Sequence, residues 1–197
     1  MSNDGAHTDQ DAFVTELLME GVSTDQIASV ASLLPPVAPP ADLRGRLMAA
    51  TTTGRLHRFA EQVAALLDVG ADTARQLLDQ LDDASAWEAG PGEGISLVHV
   101  AGGPKVADAI TGFVRIARGG QFPEHSHHGE EQVLIVQGRC RDSSDGLVRR
   151  PGEVVTANVE TTHHIDVLPG PALIYLAVVR DGLRIGELDL YAGDPRI

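Results

Sequence analysis

The chain has little cysteine and few basic residues. Its 197 residues include one cysteine, Cys140, so an internal disulfide, a C-x-x-C zinc hook and a redox cysteine pair are all excluded. We interpret Cys140 as a small apolar strand residue rather than a sensor thiol. Lys and Arg together number 15 against 28 Asp and Glu, which gives a net charge of −13. Direct nucleic-acid binding is therefore not expected, because phosphate contacts need a cationic surface.

Long apolar runs are also missing. No uninterrupted hydrophobic stretch approaches the roughly 18 residues of a membrane span, and the sequence MSNDGAHTDQD at the amino terminus lacks the basic and then apolar layout of a secretory signal. We therefore expect a cytoplasmic protein without a membrane partner. The hydrophobic content of 43% is sufficient for a packed core, and the length suits one ordinary domain with a smaller appendage.

The first ninety residues carry the periodicity of helices. A first helix is predicted around residues 13–18, where the apolar side chains share one face. Ser23 and Gln26 form a capping-box pattern ahead of a second helix, which the Pro-Pro pair at 35–36 ends. A short third helix is predicted over residues 41–50.

A helical hairpin follows. Apolar residues repeat on one stripe in residues 56–67 and again in residues 74–81, with Val69-Gly70 as the break and Asp72 as the predicted cap of the second helix. Such a hairpin could be a DNA-binding helix-turn-helix, but the acids along it would repel phosphates. The acidic excess, which is largest in residues 1–90, would instead suit a basic protein partner.

From Gly90 onward the pattern changes to short, branched runs separated by glycine and proline. Runs of this kind, without helical periodicity between them, predict a β-sandwich or barrel rather than alternating βαβ units. The predicted strands are residues 95–100, 111–117, 132–136, 153–156, 165–168 and 172–179. The sequence therefore divides into an N-terminal helical region (1–54), a helical hairpin with a linker (55–90) and a barrel (91–197).

Four polar side chains in the barrel region have the spacing of a metal site. His125 and His127 project from one face of a strand, because side chains alternate along it. Glu131 follows the turn at Gly129, and His163 comes from a distant strand that closure of the barrel could bring opposite the pair. Three imidazoles and a carboxylate suit one divalent transition metal, with zinc or iron as the leading candidates and manganese, nickel or copper as alternatives.

Three neighbours of these residues are expected to face solvent. His128, Glu130 and His164 each lie one residue out of register with a proposed ligand, and on a regular strand such a residue points to the other face.

The stretch GGQFPEHSHHGEEQVLIVQG resembles the first sequence motif of the cupin superfamily. Five residues separate Gly119 from His125, three separate His127 from Glu131, and six separate Glu131 from Gly138. The resemblance implies a mainly β fold, the cupin double-stranded β-helix or jelly-roll barrel, here preceded by a small all-α region. It also implies that the four residues above are the metal ligands.

A second cupin motif is recognisable from Gly152 to His163. Asn158 and Glu160 stand where that family usually has proline and glycine, so the turn before His163 departs from the family pattern.

Within the cupins, FPEHSHHGEEQVLIVQG and LPGPALIYLAVV resemble the ChrR-like group, whose cupin accompanies an N-terminal anti-sigma region. The segment LLPPVAPPADLRGRLMA is similar to the stretch that follows the sigma-binding helices in such proteins. The zinc site of that module uses histidine and a C-x-x-C pair, whereas this chain has no cysteine before Cys140 and only His7 in its first helices. The resemblance therefore implies an anti-sigma-like helical remnant without a zinc hook.

Three functions remain open at this point. In a regulator, the barrel would sense a metal-bound or small oxidised ligand and the helices would engage a sigma factor or another protein. In a mononuclear non-haem metal enzyme of the cupin dioxygenase or isomerase type, the barrel would act on a small molecule. The catalytic residues of such an enzyme are unassigned, with Gln121, Glu124, Gln137 and Tyr175 as candidates by proximity alone. In a binding module with a structural metal, all four ligands would close a tetrahedral site.

A homodimer is also expected. Cupin barrels commonly pair, and the apolar run ALIYLAVV (residues 172–179) is interpreted as an outer strand that a partner would bury.

Overall fold

The computed structural model describes residues 23–33, 38–52, 54–159 and 161–194. The chain divides into two compact units, Met1–Leu47 and Met48–Ile197. Over the described ranges the α-helices are α1 (Thr24–Ala31), α2 (Leu43–Thr52), α3 (Ala60–Leu67) and α4 (Ala71–Gln80). None of the helices in these ranges is both long and apolar enough to cross a membrane.

Helix α1 begins as the sequence predicts. The Gln26 backbone N–H donates to the Ser23 hydroxyl at 3.2 Å, and the Ser23 N–H donates to the Gln26 side-chain oxygen at 2.8 Å. This capping box satisfies backbone donors that a first helical turn leaves unpaired. Helix α2 begins slightly later than predicted. The predicted helix around residues 13–18, the stop at residues 35–36 and His7 lie outside the described residues.

Helices α3 and α4 form the predicted hairpin. Asp68 ends α3 with a φ of 56°, a left-handed conformation that turns the chain. The prediction that Asp72 caps α4 is wrong. The cap position is Gly70, which makes no side-chain bond, and the Asp72 carboxylate pairs with Arg75 at 2.6 Å. The extended backbone of Gly70 forms the turn before the helix. Asp72 lies within the first helical turn and forms an i, i+3 ion pair with Arg75 instead.

The strands are short and follow one another closely, as predicted for residues 91–197. They are β1 (Glu88–Ala89), β2 (Ile95–His99), β3 (Ile110–Ile116), β4 (Gln121–His127), β5 (Glu131–Gln137), β6 (Cys140–Asp142), β7 (Val148–Arg149), β8 (Val154–Ala157), β9 (Thr162–Val167), β10 (Leu173–Val179), β11 (Leu183–Ile185) and β12 (Leu188–Leu190).

The strands of the described ranges form two six-stranded antiparallel sheets. Sheet A has the order β1-β2-β3-β10-β5-β8, and sheet B has the order β12-β11-β4-β9-β6-β7. Apolar side chains of both sheets meet in one buried cluster that includes Val133, Ile135 and Tyr175 of sheet A and Ile165 and Leu183 of sheet B. Two antiparallel sheets around a common interior form the jelly-roll architecture, which confirms the predicted fold class.

Strand β10 is central in sheet A, so the expectation that ALIYLAVV is an outer interface strand is wrong. It pairs with β3 on one side and β5 on the other, and each of its residues is buried. Ile174, Leu176 and Val178 face the helical hairpin, while Tyr175 and its neighbours on the other face point into the interior between the sheets. The run is uniformly apolar because both faces of the strand are covered, and not because one face awaits a second chain.

The helical hairpin covers the outer face of sheet A. Phe59, Val63 and Leu67 share a buried cluster with Leu134 and Leu176 of the sheet. Hairpin and sheets therefore lie in the same compact unit, and the boundary between units falls before the hairpin. The three-part division at residues 54 and 90 stays a prediction about which pieces fold independently.

Trp87 lies between the hairpin and the sheet. Its indole N–H donates to the Leu81 carbonyl oxygen at 3.2 Å, and the guanidinium of Arg115, on β3, lies 4.4 Å from its ring centroid. The tryptophan thus ties the end of α4 to sheet A through a hydrogen bond and a cation–π contact.

Candidate metal centre

The four sequence-predicted ligands come from three strands in the two sheets. His125 and His127 lie on β4, and His163 lies on the neighbouring β9 directly opposite His125. Glu131 is the first residue of β5, in sheet A, so it faces the three histidines of sheet B across the interior. The arrangement brings together residues separated by more than thirty positions, as closure of the barrel predicts.

An irregularity in β4 aims the two histidines inward. The pairing with β9 shifts register between Phe122 and His125, which places an extra residue in β4. Such a bulge changes which side chains face inward. Phe122, His125 and His127 are all buried, whereas Glu124 is exposed. Pro123 falls within the bulge, where the lack of an N–H costs no ladder hydrogen bond.

The ligand atoms of the four side chains lie within 4.8 Å of one another. Glu131 Oε2 is 3.1 Å from His127 Nε2 and 3.8 Å from His163 Nε2. The ring centroids of His125 and His163 are 4.5 Å apart. All four residues are at most 5% exposed, so these polar groups are removed from water. The cluster therefore has the residue types and the spacing to hold one metal ion.

Two of the histidines have their outer nitrogen fixed by a hydrogen bond. His125 Nδ1 lies 3.0 Å from the Pro123 carbonyl oxygen, and His163 Nδ1 lies 2.9 Å from Asp142 Oδ1. Both partners accept hydrogen bonds, so each Nδ1 carries the proton and each Nε2 keeps its lone pair for the cluster.

Some ring nitrogens of His127 and His163 lack hydrogen-bond partners. Among the described residues, His127 Nδ1, His127 Nε2 and His163 Nε2 are buried without a hydrogen bond. Glu131 is close to His127, but the pair does not have hydrogen-bond geometry. Buried polar atoms without partners are rare because they cost free energy. A divalent transition metal, which accepts lone pairs from imidazole and carboxylate, fits this donor set.

The electrostatics of the cluster favour the metal-binding forms of two ligands. Burial, together with the other two imidazoles, lowers the pKa of His125 to about 4, so its ring is neutral at neutral pH. Burial would raise the pKa of Glu131, but the contact with His127 and the nearby imidazoles outweigh it and hold that pKa below its usual value.

Asp142 and His163 form a coupled pair. Burial opposes the charge on both groups, but their mutual hydrogen bond favours it. The pKa of Asp142 is therefore held well below its usual range by His163 and Ser144, and the pKa of His163 is raised by Asp142.

The turn between His127 and Glu131 depends on Gly129. A Cβ atom there would collide with the backbone carbonyl oxygen of Arg180. His128 N–H donates to the Gly182 carbonyl oxygen at 3.0 Å and Arg180 N–H to the Glu130 carbonyl oxygen at 2.9 Å, so the turn packs tightly against this segment. Only glycine allows the two ligand-bearing strands to be joined this closely.

The three residues predicted to face solvent, His128, Glu130 and His164, differ in their exposure. Glu130 is exposed, as expected. His128 is only part-exposed, because its Nε2 lies 2.9 Å from Asp189 and its ring stacks on Tyr191. His164 is part-exposed and lies 3.4 Å from Asp166. None of the three belongs to the ligand cluster.

A cavity of about 70 Å³ adjoins the cluster on its apolar side. His125 and Glu131 line one part of it, and the rest is almost entirely apolar, including Phe122, Leu183 and Leu190. Tyr175 also lines it, which makes it the one candidate of the four named by proximity that reaches this space. Gln121 bonds to Asp166, Gln137 bonds to the Ala172 carbonyl oxygen, and Glu124 is exposed.

A smaller cavity of about 20 Å³ lies beside Glu131 and His163, lined also by Asp142, Arg149 and Cys140. Cys140 is 2% exposed, and burial raises the pKa of its thiol to about 12. A thiol that stays protonated is a poor nucleophile, which agrees with its interpretation as a small apolar strand residue.

Asp142 is a polar side chain in contact with the cluster that the sequence did not reveal. It lies in the segment CRDSSDG, whose composition indicates only a turn, and it is distant in sequence from each ligand. Pairing of β6 with β9 brings it to His163.

The family model of the ChrR cupin-like domain matches residues 76–178. The matched region runs from within α4 to β10 and contains all four cluster residues. No curated protein shows significant sequence similarity to the chain.

Several solved structures are similar to the chain. The Rhodobacter sphaeroides SigE complex with the anti-sigma ChrR matches with 21% identity, 77% coverage of this chain, 73% coverage of that chain and a TM-score of 0.47. An RmlC-like cupin protein from Ralstonia eutropha JMP134 matches with 22% identity, coverages of 55% and 73%, and a TM-score of 0.45. An acetylacetone dioxygenase from Acinetobacter johnsonii matches with 13% identity, coverages of 55% and 81%, and a TM-score of 0.47. At these values the likenesses carry no conclusion about activity or partner.

Proposed function

The chain belongs to the ChrR cupin-like domain family, and we propose that it is a metal-dependent regulatory protein. Its barrel binds one divalent transition metal through His125, His127, Glu131 and His163. The observation that carries this proposal is the convergence of four buried side chains, in which Nε2 of His127 and Nε2 of His163 have no hydrogen-bond partner among the described residues. A bound metal would supply coordination positions for a small ligand that carries an oxygen donor. Zinc and iron suit the donor set best.

Metal analysis of the purified protein tests the site. We expect one equivalent of metal per chain in the wild type and almost none in His163→Ala. His164→Ala is the matched control, since this adjacent histidine faces away from the cluster. A wild-type protein that binds no metal after loading with zinc, iron, manganese, nickel or copper would overturn the proposal. Equal metal content in both variants would remove His163 from the site.

The apolar cavity supports a sensing role for the barrel. It touches the cluster through His125 and Glu131 but offers few polar groups besides Tyr175 to bind a ligand's other end. A small, mostly apolar molecule with a single metal-binding oxygen matches that lining. Such a ligand could change the coordination of the metal without any catalytic acid or base.

The helices are proposed to engage a sigma factor or another protein in the cytoplasm. In the first unit, Leu33 is 83% exposed and Leu47 is 58% exposed. These two exposed leucines are the apolar side chains of the first unit that we propose a partner would contact. Co-expression with the sigma factors of the host, followed by size-exclusion chromatography, tests this. We expect a complex with the full chain and a weaker one with Leu33→Glu plus Leu47→Glu. Separate elution from every sigma factor would count against this role.

The second candidate function is a mononuclear metal enzyme of the dioxygenase or isomerase type. The position of Tyr175 in the cavity beside Glu131 favours it, because a phenol there could donate a proton or a hydrogen bond to a bound molecule. Oxygen uptake by the iron-loaded protein with a small diketone as probe, compared with Tyr175→Phe, tests for turnover. Uptake that depends on Tyr175 would favour the enzyme over the regulator.

Cobalt substitution separates both functions from a purely structural metal. A weak absorption band of a five- or six-coordinate ion would indicate positions open to a ligand. An intense tetrahedral band would indicate a closed site of four protein ligands.

We also propose a homodimer, but strand β10 cannot form its interface, because β10 is central in sheet A and covered on both sides. Sedimentation of the metal-loaded protein remains the measurement that tests it.

A further inference from the structure

We propose that Asp142 is a positioning residue for the metal site, which fixes the tautomer and the direction of His163. This inference rests on the proposed metal-binding function. It assigns a role to a residue outside the ligand set.

Asp142 is buried and hydrogen-bonded within the barrel. It is the last residue of β6 and pairs with Ile165 of β9, two residues beyond His163. The residue is 5% exposed. Its Oδ1 accepts hydrogen bonds from the Ser144 N–H at 2.9 Å and from the Ser144 hydroxyl at 2.7 Å. The turn after β6 therefore holds this carboxylate in one orientation before any metal binds.

The same oxygen receives His163 Nδ1 at 2.9 Å. A carboxylate oxygen only accepts, so Nδ1 must be the protonated nitrogen and Nε2 keeps the lone pair. His163 Nε2 is buried, has no partner among the described residues, and faces Glu131 Oε2 at 3.8 Å. Asp142 thus selects the tautomer in which His163 presents a donor atom to the cluster.

The three histidines differ in the group that contacts their Nδ1 nitrogen. His125 has the neutral carbonyl oxygen of Pro123, and His127 Nδ1 has no partner among the described residues. His163 alone has a carboxylate. Since a negative charge behind an imidazole increases its basicity toward a metal, His163 is expected to be the most strongly donating of the three rings. It is also the ligand farthest from the others in sequence, so its orientation gains least from local chain geometry.

The test compares zinc affinity by competition with a chromophoric chelator. Asp142→Ala is expected to weaken binding about ten- to a hundredfold, and Asp142→Asn, which keeps an acceptor oxygen but no charge, by a smaller factor. Asp145→Asn is the matched control. This acid lies in the same turn, accepts from the Leu147 N–H and pairs with Arg149, and it acts on His163 through its charge alone, without a hydrogen bond to the ring. Wild-type affinity in Asp142→Ala, or an equal loss in Asp145→Asn, would overturn the proposal.

A second measurement needs no variant. In the metal-free wild-type protein, at a pH where the ring is neutral, ring nitrogen–proton correlation spectra should show His163 protonated at Nδ1, because the hydrogen bond to Asp142 fixes that tautomer when no zinc is present to impose it. Detection of the His163 Nε2–H tautomer contradicts the proposal even if Asp142→Ala does not fold. Failure of the wild type to bind zinc would instead concern the metal site itself, so the two failures are distinguishable.

Discussion

The two faces of sheet A are both buried, yet they differ in what completes them. On the outer face, Leu134 and Leu176 pack against apolar side chains of the helical hairpin such as Val63. On the inner face, Glu131 lies opposite His127 and His163, whose Nε2 atoms have no hydrogen-bond partner among the described residues. Apolar packing is satisfied by protein atoms alone, whereas the inner cluster has buried polar atoms that a cation could satisfy. One sheet thus carries a face stabilised by apolar packing and a face whose polar cluster a metal ion would stabilise.

Removal of the hairpin should have the largest effect. A chain without residues 1–90 would expose Phe113, Leu134 and Leu176 to water, and we expect it to be insoluble. A chain without residues 1–47 keeps the whole second unit and should remain folded and metal-loaded. Circular dichroism, sedimentation and zinc content check both. A soluble, metal-loaded fragment of residues 91–197 would contradict the claim that the outer face of sheet A needs the hairpin, because the barrel would then fold without this cover.

A cavity on the outer face should cost stability whether or not metal is present. Leu134 is fully buried, so Leu134→Ala should lower the free energy of unfolding by about 2–5 kcal/mol. Urea unfolding in excess zinc and in a chelator should give the same loss. A loss that appears only with zinc would mean that the two faces are energetically coupled.

Loss of a ligand on the inner face should cost more stability when metal is present. His127→Ala should remove the stabilisation of about 2.7 kcal/mol that a ligand supplies at a hundred times its dissociation constant. In a chelator the loss should be smaller, since only the packing of the buried ring and its contact with Glu131 disappear there. His164→Ala serves as control and should unfold like the wild type under both conditions. A large loss in the chelator would instead assign His127 a packing role.

The Asp142–His163 pair should give the metal-free protein a pH-dependent increment of stability. The pKa of Asp142 is depressed on folding, so its contribution is present above the unfolded value and is lost as pH falls. The pKa of His163 is raised, so its contribution is present below the unfolded value and is lost as pH rises through the folded pKa. The stability difference between wild type and Asp142→Asn should therefore be largest in weak acid, at pH values above the unfolded-state pKa of Asp142 and below the unfolded-state pKa of His163. A difference that is constant with pH, measured by urea unfolding in a chelator, would contradict this.

The smallest effect is expected at Cys140. Its thiol is buried and its pKa is raised to about 12, so a thiol reagent should label the native protein only as fast as the protein unfolds. Labelling in urea gives the reference rate. Rapid labelling of the native protein would show that the small cavity beside the cluster opens to solvent.

Much of the site could be predicted from the sequence because its parts are local. Strand alternation placed His125 and His127 on one face, and the glycine between His127 and Glu131 indicated the turn that the structure needs there. The capping box at Ser23 is local in the same sense, since its donors and acceptors lie within one helical turn.

Predictions failed where a distant segment decided the outcome. The apolar run 172–179 was assigned to an outer surface, because a sequence cannot show that helices cover one face of a strand and a second sheet covers the other. Asp72 was assigned to a cap, but the backbone at Gly70 already made the turn. His128 was expected in solvent, but it meets Asp189 and Tyr191 from the end of the chain.

The fold class, the strand pattern and the four candidate ligands follow from the sequence, because hydrophobic period, turn residues and motif spacing act over short stretches of chain. The position of β9 between β4 and β6 comes from the folded structure, and it brings His163 to His125 on one side and to Asp142 on the other. Strand order in an antiparallel sheet depends on contacts between residues far apart in the chain, and no local pattern encodes it. The carboxylate behind His163 therefore emerged only from the fold.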